Sequence, residues 1–114
     1  LLKDTVFLAQ NAIENIWQAL SPEEHKQRPY PLVAGSIGPY AAYLADGSEY
    51  TGNYQLSEKE YQDFHRPRIQ ALLEAGSDLL AIETIPNEAE AAAILRLLTE
   101  EFPQAETYLS FVAQ

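Results

Sequence analysis

The 114-residue sequence is 46% apolar and carries 17 Asp plus Glu against seven Lys plus Arg, a formal net charge of −10. This size and apolar content suit one globular domain or part of one, and the negative charge opposes binding to nucleic acid. No apolar run approaches the roughly 18 residues of a membrane span, so no membrane partner is expected. Because cysteine is absent, any metal site in this chain is restricted to His and carboxylate ligands.

Apolar residues at three- and four-residue steps predict a first helix of about five turns, ended by Ser21-Pro22. The stripe consists of Val6, Ala9, Ile13, Ile16, Trp17 and Leu20. Residues 21–31 are polar and proline-containing, which indicates a surface connection with one helical turn at residues 22–25. The apolar run at residues 32–34 does not alternate, so it predicts a short strand buried on both faces.

A long loop is predicted over residues 36–56, because this stretch is rich in glycine and tyrosine. Loops of this length are usually functional or mobile. Its tyrosines are Tyr40, Tyr43, Tyr50 and Tyr54. They are compatible with a lid over a small molecule or with anchoring of the loop against the domain, and anchoring is favoured.

Two further helices each precede an apolar strand. Ser57 and Glu60 form a capping-box pattern that begins the second helix, Pro67 is expected to kink it, and Gly76 follows its end. Its buried side is expected to be Tyr61, Phe64, Leu72 and Leu73. Residues 79–82 then predict a second strand that stops at Glu83.

The third helix begins with the same capping pattern at Asn87 and Glu90, and Phe102-Pro103 ends it. It is expected to bury Ala91, Ile94, Leu95 and Leu98. A third strand is predicted over residues 108–113.

Alternation of helices and apolar strands predicts an α/β fold with a parallel sheet and right-handed crossovers. Because an open three-stranded sheet leaves two unpaired edges, we interpret residues 1–114 as part of a closed (β/α)8 TIM barrel with about three of its strands. The sequence does not begin with Met and opens directly on helical periodicity. We therefore expect a piece of a larger domain.

The ligand end of a parallel barrel is the carboxyl end of its strands. Glu83 directly follows four apolar residues, which would place its carboxylate at the barrel mouth, where a cationic ligand group suits it. The alternative is that Glu83 only complements the next helix dipole or binds loop amides. Near the first strand end, the glycines of residues 35–39 permit either close approach of a ligand or a tight turn, so Ser36 and Gly38 are candidate ligand contacts.

The other titratable residues predict no catalytic or metal site. His65 lies in mid-helix without a partner at metal-ligand spacing, and we interpret it as a packed or solvated helix residue. Glu88 and Glu90 are interpreted as first-turn residues that complement the helix dipole.

Four strings carry a family resemblance: residues 33–40 (VAGSIGPY), 42–50 (AYLADGSEY), 64–68 (FHRPR) and 78–86 (DLLAIETIP). Together they resemble homocysteine S-methyltransferases, most closely the branch that uses S-methylmethionine or S-adenosylmethionine. The resemblance implies a cytoplasmic TIM-barrel enzyme of methionine biosynthesis. It implies zinc held by three cysteines, which activates the homocysteine thiol for attack on the sulfonium methyl group. It further implies that Glu83 binds the amino acid part of homocysteine and that Thr84 lines the same pocket.

The sequence also departs from the family pattern. The zinc cysteines of the family lie in later strands, an early strand with an acidic ligand-binding residue is missing, and Ala41 stands where relatives commonly have Gly. We therefore expect this chain alone to bind no zinc and to transfer no methyl group. Because its strand edges would be exposed, we expect it to self-associate.

Two alternatives stay open. A betaine- or methylfolate-dependent homocysteine methyltransferase would share the barrel, although residues 46–50 argue against it. A non-catalytic acidic interaction module is favoured by the lack of cysteine and opposed by the retained Glu83.

Overall fold

The computed structural model describes residues 1–112, apart from the side chain of Ser48. In chain order its elements are α1 (Leu2–Ala19), α2 (Pro22–Gln27), β1 (Ala34–Ile37), α3 (Tyr40–Leu44), α4 (Ser48–Thr51), α5 (Glu58–Glu74), β2 (Leu79–Ile85), α6 (Glu88–Glu101) and β3 (Thr107–Phe111). None of these helices has the length and apolar character needed to span a lipid bilayer.

The three strands form one parallel sheet in the order β1-β2-β3, which confirms the predicted α/β class. Ser36 of β1 and Tyr108 of β3 are both Cα partners of Ala81 in β2. Helices α5 and α6 pack against each other and against the sheet, and α1 packs on α5. Because the strands are parallel, their carboxyl ends lie at one edge of the sheet, where a ligand site is expected.

The core lies between the sheet and its helices. Its fully buried members, with 0% exposure, include Leu80, Ile82 and Ile94. Along β2, Leu80 and Ile82 point to the helices because side chains alternate between the two faces of a strand. Burial of such side chains is worth about 1.5–3 kcal/mol each, which holds the helices on this face.

Most of the local signals for helix ends are confirmed; the capping pattern at Asn87 and Glu90 forms only in part, because Asn87 accepts from the Glu90 backbone N–H while the Glu90 carboxylate binds other donors. Ser57 and Glu60 form the predicted capping box, in which each side chain accepts a hydrogen bond from the other residue's backbone N–H. Gly76 follows α5 with a φ of +96°, a conformation that suits glycine after a helix. Ser21 and Glu24 form a second capping box, which begins α2 where one helical turn was predicted.

The prediction that the first strand is buried on both faces was wrong. The strand covers Ala34–Ile37 rather than residues 32–34, and it alternates, with Ala34 and Ser36 exposed and Gly35 and Ile37 buried. Leu32 is 66% exposed. The reason is that the helices cover only one face of the sheet in this chain. Similarly, Ile16 of α1 and Leu95 of α6 were expected to be buried and are 64% and 45% exposed.

Two other expectations about element limits differ from the structure. The loop predicted over residues 36–56 contains the two short helices α3 and α4. Strand β2 does not stop at Glu83 but continues to Ile85, with an irregular register between Ile82 and Ile85. Helix α5 contains Pro67, and the kink expected there stays a prediction. The predicted third strand included residue 113, which lies outside the described residues.

Candidate functional site

The sheet face opposite α5 and α6 presents polar side chains toward the carboxyl edge. Glu83, Tyr108 and Ser110 are exposed on β2 and β3, and Ser36 is exposed on β1. Ser36 is the register partner of Ala81, two residues before Glu83 in β2, so the two side chains belong to the same face. The structure thus places Ser36, Tyr108 and Ser110 on the same sheet face as Glu83, which marks the strand end that the sequence identified.

Glu83 is oriented by β3. Its Oε1 atom accepts a hydrogen bond from the Tyr108 hydroxyl at 2.6 Å. This bond raises the pKa of Tyr108, so the phenol remains a donor at neutral pH. Because the Glu83 side chain is exposed, the carboxylate retains capacity to accept hydrogen bonds from a cationic ligand. Tyr108 was missed in the sequence, and its signal would have been its position on the Glu83 face of the next strand.

Thr84 has a φ of +63°, which is unusual for a β-branched residue. Its backbone N–H donates to Ser110 Oγ at 3.2 Å, so the local irregularity of β2 is bonded to β3. Strained backbone of this kind is often found at functional sites. The Thr84 side chain is exposed beside Glu83.

Gly38 directly follows β1, and no atom lies within 4 Å of a Cβ built on it. This open space is compatible with close approach of a ligand. Gly35 is different, since a Cβ there would lie 2.8 Å from Ser77 Oγ and 3.2 Å from Leu72 Cβ. Neither glycine has a positive φ, so neither position requires the left-handed conformation that glycine permits. Gly35 is needed for close packing of the sheet against α5.

A second polar group lies behind this edge, and we call it the Glu90 cluster: the buried Glu90 and His65 with the half-buried Tyr54 and Tyr40. Glu90 Oε2 accepts hydrogen bonds from the Tyr40 backbone N–H at 2.6 Å and from His65 Nε2 at 2.7 Å. Its Oε1 accepts a short hydrogen bond from the Tyr54 hydroxyl. Both Glu90 and His65 are 0% exposed.

The Glu90 cluster adds a contact that the sequence interpretation of Glu90 did not include, and it decides the interpretations of His65 and Tyr54. Glu90 lies in the first turn of α6 as predicted, and its carboxylate is in addition buried and bound to three donors. His65 is a packed helix residue, which was one of the two interpretations given from the sequence. Tyr54 anchors its loop, and burial together with the Glu90 hydrogen bond strongly raises its pKa, so its hydroxyl stays protonated.

Residues 1–112, which the structure describes, offer no fit for a zinc site. It contains no cysteine, and the described residues include no group of three His, Asp or Glu side chains placed to hold a metal ion. Its two histidines are committed to other contacts: His65 to Glu90, and His25 Nε2 to the Trp17 carbonyl at 2.6 Å. No step of chemistry in this chain is therefore assigned to a metal.

The chain is similar to known proteins in both sequence and fold. The family model for homocysteine S-methyltransferase matches residues 1–114. The chain is 54% identical to the homocysteine S-methyltransferase YbgG of Bacillus subtilis, and the match covers 100% of this chain and 35% of that protein. It is 44% identical to a betaine-homocysteine S-methyltransferase of Drosophila melanogaster, over 96% of this chain and 33% of the relative.

The structural comparison agrees with the sequence comparison. The metallated form of the homocysteine methyltransferase MmuM from Escherichia coli superposes with a TM-score of 0.89 at 49% identity, over 99% of this chain and 37% of that one. The chain thus spans about a third of the length of the relatives it matches. Its three parallel strands correspond to part of their TIM-barrel fold. Full coverage by the family model, high identity and a shared fold together establish that this chain belongs to the homocysteine S-methyltransferase family.

Proposed function

We propose that residues 1–114 form part of the substrate-binding barrel of a homocysteine S-methyltransferase, which methylates homocysteine to methionine with S-methylmethionine or S-adenosylmethionine as donor. In this reaction the homocysteine thiol loses its proton to solvent and its sulfur bonds to the donor's methyl carbon, while the electrons of the broken carbon–sulfur bond return to the donor sulfur. The match of the family model to the whole chain carries this proposal. The cytoplasmic location implied by the resemblance belongs to the same proposal.

Within that reaction, this chain supplies binding of homocysteine. Glu83 is an exposed carboxylate at the carboxyl edge of the sheet, and Tyr108 orients it. A carboxylate held in this way complements the ammonium group of an amino acid substrate. Thr84, Ser36 and Gly38 are the further candidate contacts, and all three are exposed near the same edge.

Zinc, where the complete enzyme binds it, takes its ligands from outside residues 1–114. This follows from the lack of cysteine in this chain. The positive charge of the bound metal would favour deprotonation of the homocysteine thiol, which is the chemistry that the metal would supply.

The test is methyl transfer by the longer protein that contains this chain, with Glu83→Gln and the matched surface control Glu100→Gln. Loss of the charged acceptor is expected to raise the KM for homocysteine about tenfold or more, whereas the KM for the methyl donor changes little. Glu100 is exposed near the end of α6, so its variant should keep parental values. An unchanged homocysteine KM in Glu83→Gln would remove Glu83 from the site.

The same assay decides between the alternatives. Turnover with betaine or methylfolate in place of the sulfonium donors would support the alternative branch. Absence of homocysteine methylation with every donor would favour a non-catalytic module. Methyl transfer by residues 1–114 alone would contradict our expectation that this chain is inactive by itself.

A further inference from the structure

Glu90 is completely buried, and the function proposed above gives it no role. We propose that Glu90 is a positioning residue, which holds residues 38–56 as a fixed wall of the substrate site beside Glu83. We call residues 38–56 the tyrosine segment. This inference rests on the proposed function, because it assigns the segment to the homocysteine site.

The tyrosine segment is attached to Glu90 near both of its ends. The Tyr40 backbone N–H donates to Oε2 at the start of the segment, and the Tyr54 hydroxyl donates to Oε1 near its end. One carboxylate therefore fixes two points that are 14 residues apart along the chain. A carboxylate suits this role because each of its two oxygens can accept hydrogen bonds and neither of them donates one.

The same turn of α6 makes further contacts with the segment. The Asn87 side-chain amide donates to the Tyr54 carbonyl at 2.8 Å and caps the helix by accepting from the Glu90 backbone N–H at 3.2 Å. Gly52 lies against Pro86, since a Cβ on Gly52 would be 2.4 Å from the Pro86 carbonyl oxygen. Residues 86–90 thus bind the segment at several points.

This attachment bears on the site because residues 86–90 directly follow the carboxyl end of β2. Glu83 lies only three residues before Pro86, and the segment begins at Gly38, directly after β1 ends. Glu90 therefore sets the position of the loop after β1 relative to the carboxylate at the end of β2. In a parallel barrel, loops at this edge form the walls of the ligand site.

His65 supports the carboxylate from α5. Its Nε2 donates to Glu90, whereas its Nδ1 is buried without a hydrogen-bond partner. The ring also packs edge-on against Phe64, with 4.9 Å between the ring centroids. If the Glu90 carboxylate is removed, the Tyr40 backbone N–H, the Tyr54 hydroxyl and the buried His65 Nε2 lose their acceptor, which weakens the attachment of the tyrosine segment near both of its ends.

The experiment compares Glu90→Ala, Glu90→Gln and Tyr54→Phe in the longer methyltransferase, with Glu88→Ala as the matched control. Glu88 is exposed in the same helical turn. We expect Glu90→Ala to raise the homocysteine KM about tenfold or more, and Tyr54→Phe about threefold, because one of three hydrogen bonds is lost. Glu90→Gln should recover most of the affinity, since its carbonyl can accept from Tyr40 and His65 while its amide donates to the Tyr54 oxygen.

A role limited to stability has a different signature. It would lower the unfolding midpoint and the active fraction, and hence the apparent kcat, without changing the KM of the molecules that remain folded. Limited proteolysis within residues 38–56 provides a second readout, and we expect cleavage to accelerate in Glu90→Ala and Tyr54→Phe at temperatures where both remain folded.

Parental KM values in Glu90→Ala and Tyr54→Phe would overturn the inference. If Glu90→Ala does not fold, Tyr54→Phe decides, since it removes only a hydroxyl group. Glu83→Gln is measured in parallel: an unchanged KM in that variant alone contradicts the proposed role of Glu83, whereas an unchanged KM in the Glu90 and Tyr54 variants alone contradicts the positioning role.

Discussion

Gly35 and Gly38 lie three residues apart and differ in what surrounds them, which makes them a matched pair for one substitution. In Gly35→Ala, the new methyl group would meet Ser77 Oγ at 2.8 Å, Leu72 Cδ1 at 3.0 Å and Leu72 Cβ at 3.2 Å. In Gly38→Ala it would meet no atom within 4 Å. Neither position has a positive φ, so both can adopt the alanine backbone without strain.

The expected loss of stability in Gly35→Ala follows from which atoms must move to make room for the methyl group. Ser77 Oγ is buried and donates to the Leu79 carbonyl at 2.9 Å, so it yields only by weakening that hydrogen bond. Leu72 Cβ belongs to α5 and moves only with its backbone. Overpacking of this kind costs about 1–3 kcal/mol. Alanine also reduces the entropy of the unfolded chain, which offsets about 0.4–1 kcal/mol, but this gain is common to both variants and cancels in their difference.

The measurement is urea unfolding of the longer protein carrying either substitution. With a slope of about 2 kcal/mol per molar, the Gly35→Ala midpoint is expected to lie about 0.5–1.5 M below that of Gly38→Ala. Gly38→Ala should unfold at or slightly above the parental midpoint. Equal midpoints in the two variants would refute the argument that Gly35 is required for packing of β1 against α5.

Two further outcomes are expected. Arg66 donates two hydrogen bonds to Glu101, which lowers the pKa of the Glu101 carboxyl. The ion pair therefore stabilises the folded state fully above the ordinary carboxyl pKa near 4.5. This stabilisation is lost as the pH falls through the lowered pKa. The loss of stability in Arg66→Gln, measured by urea unfolding, should therefore be larger at pH 7 than at pH 3, and an equal loss at both would contradict the assignment. Residues 1–114 in isolation should sediment as dimers or larger species, because β1 and β3 are both edge strands; a stable monomer would contradict this.

Much of the helical structure could be predicted because its signals are local. The capping box at Ser57 and the glycine after α5 act within a few residues of chain, and both were confirmed. Strand limits were less predictable. The end of β2 depends on its pairing with β3, where Ile85 lies opposite Phe111, and no pattern within residues 79–85 encodes that pairing.

The candidate site divides in the same way. Glu83 was identified from the apolar run before it, and its place in the homocysteine site stays a prediction. Its neighbour Tyr108 was missed because the contact joins two strands that are 25 residues apart in sequence. Glu90 was expected only to complement the helix dipole, and its hydrogen bonds were missed for a related reason, since they join it to His65 and Tyr54, which are distant in sequence.

The sequence by itself determined the alternation of helices and strands, the parallel sheet and the family. It could do so because periodicity, helix caps and the motif strings each depend on residues that are close together along the chain. Only the tertiary structure decided which face of β1 is covered, why Gly35 must lack a side chain and where the Glu90 carboxylate lies. These features depend on distances between segments that are far apart along the chain. Packing against α5 and α6, rather than local preference, sets them.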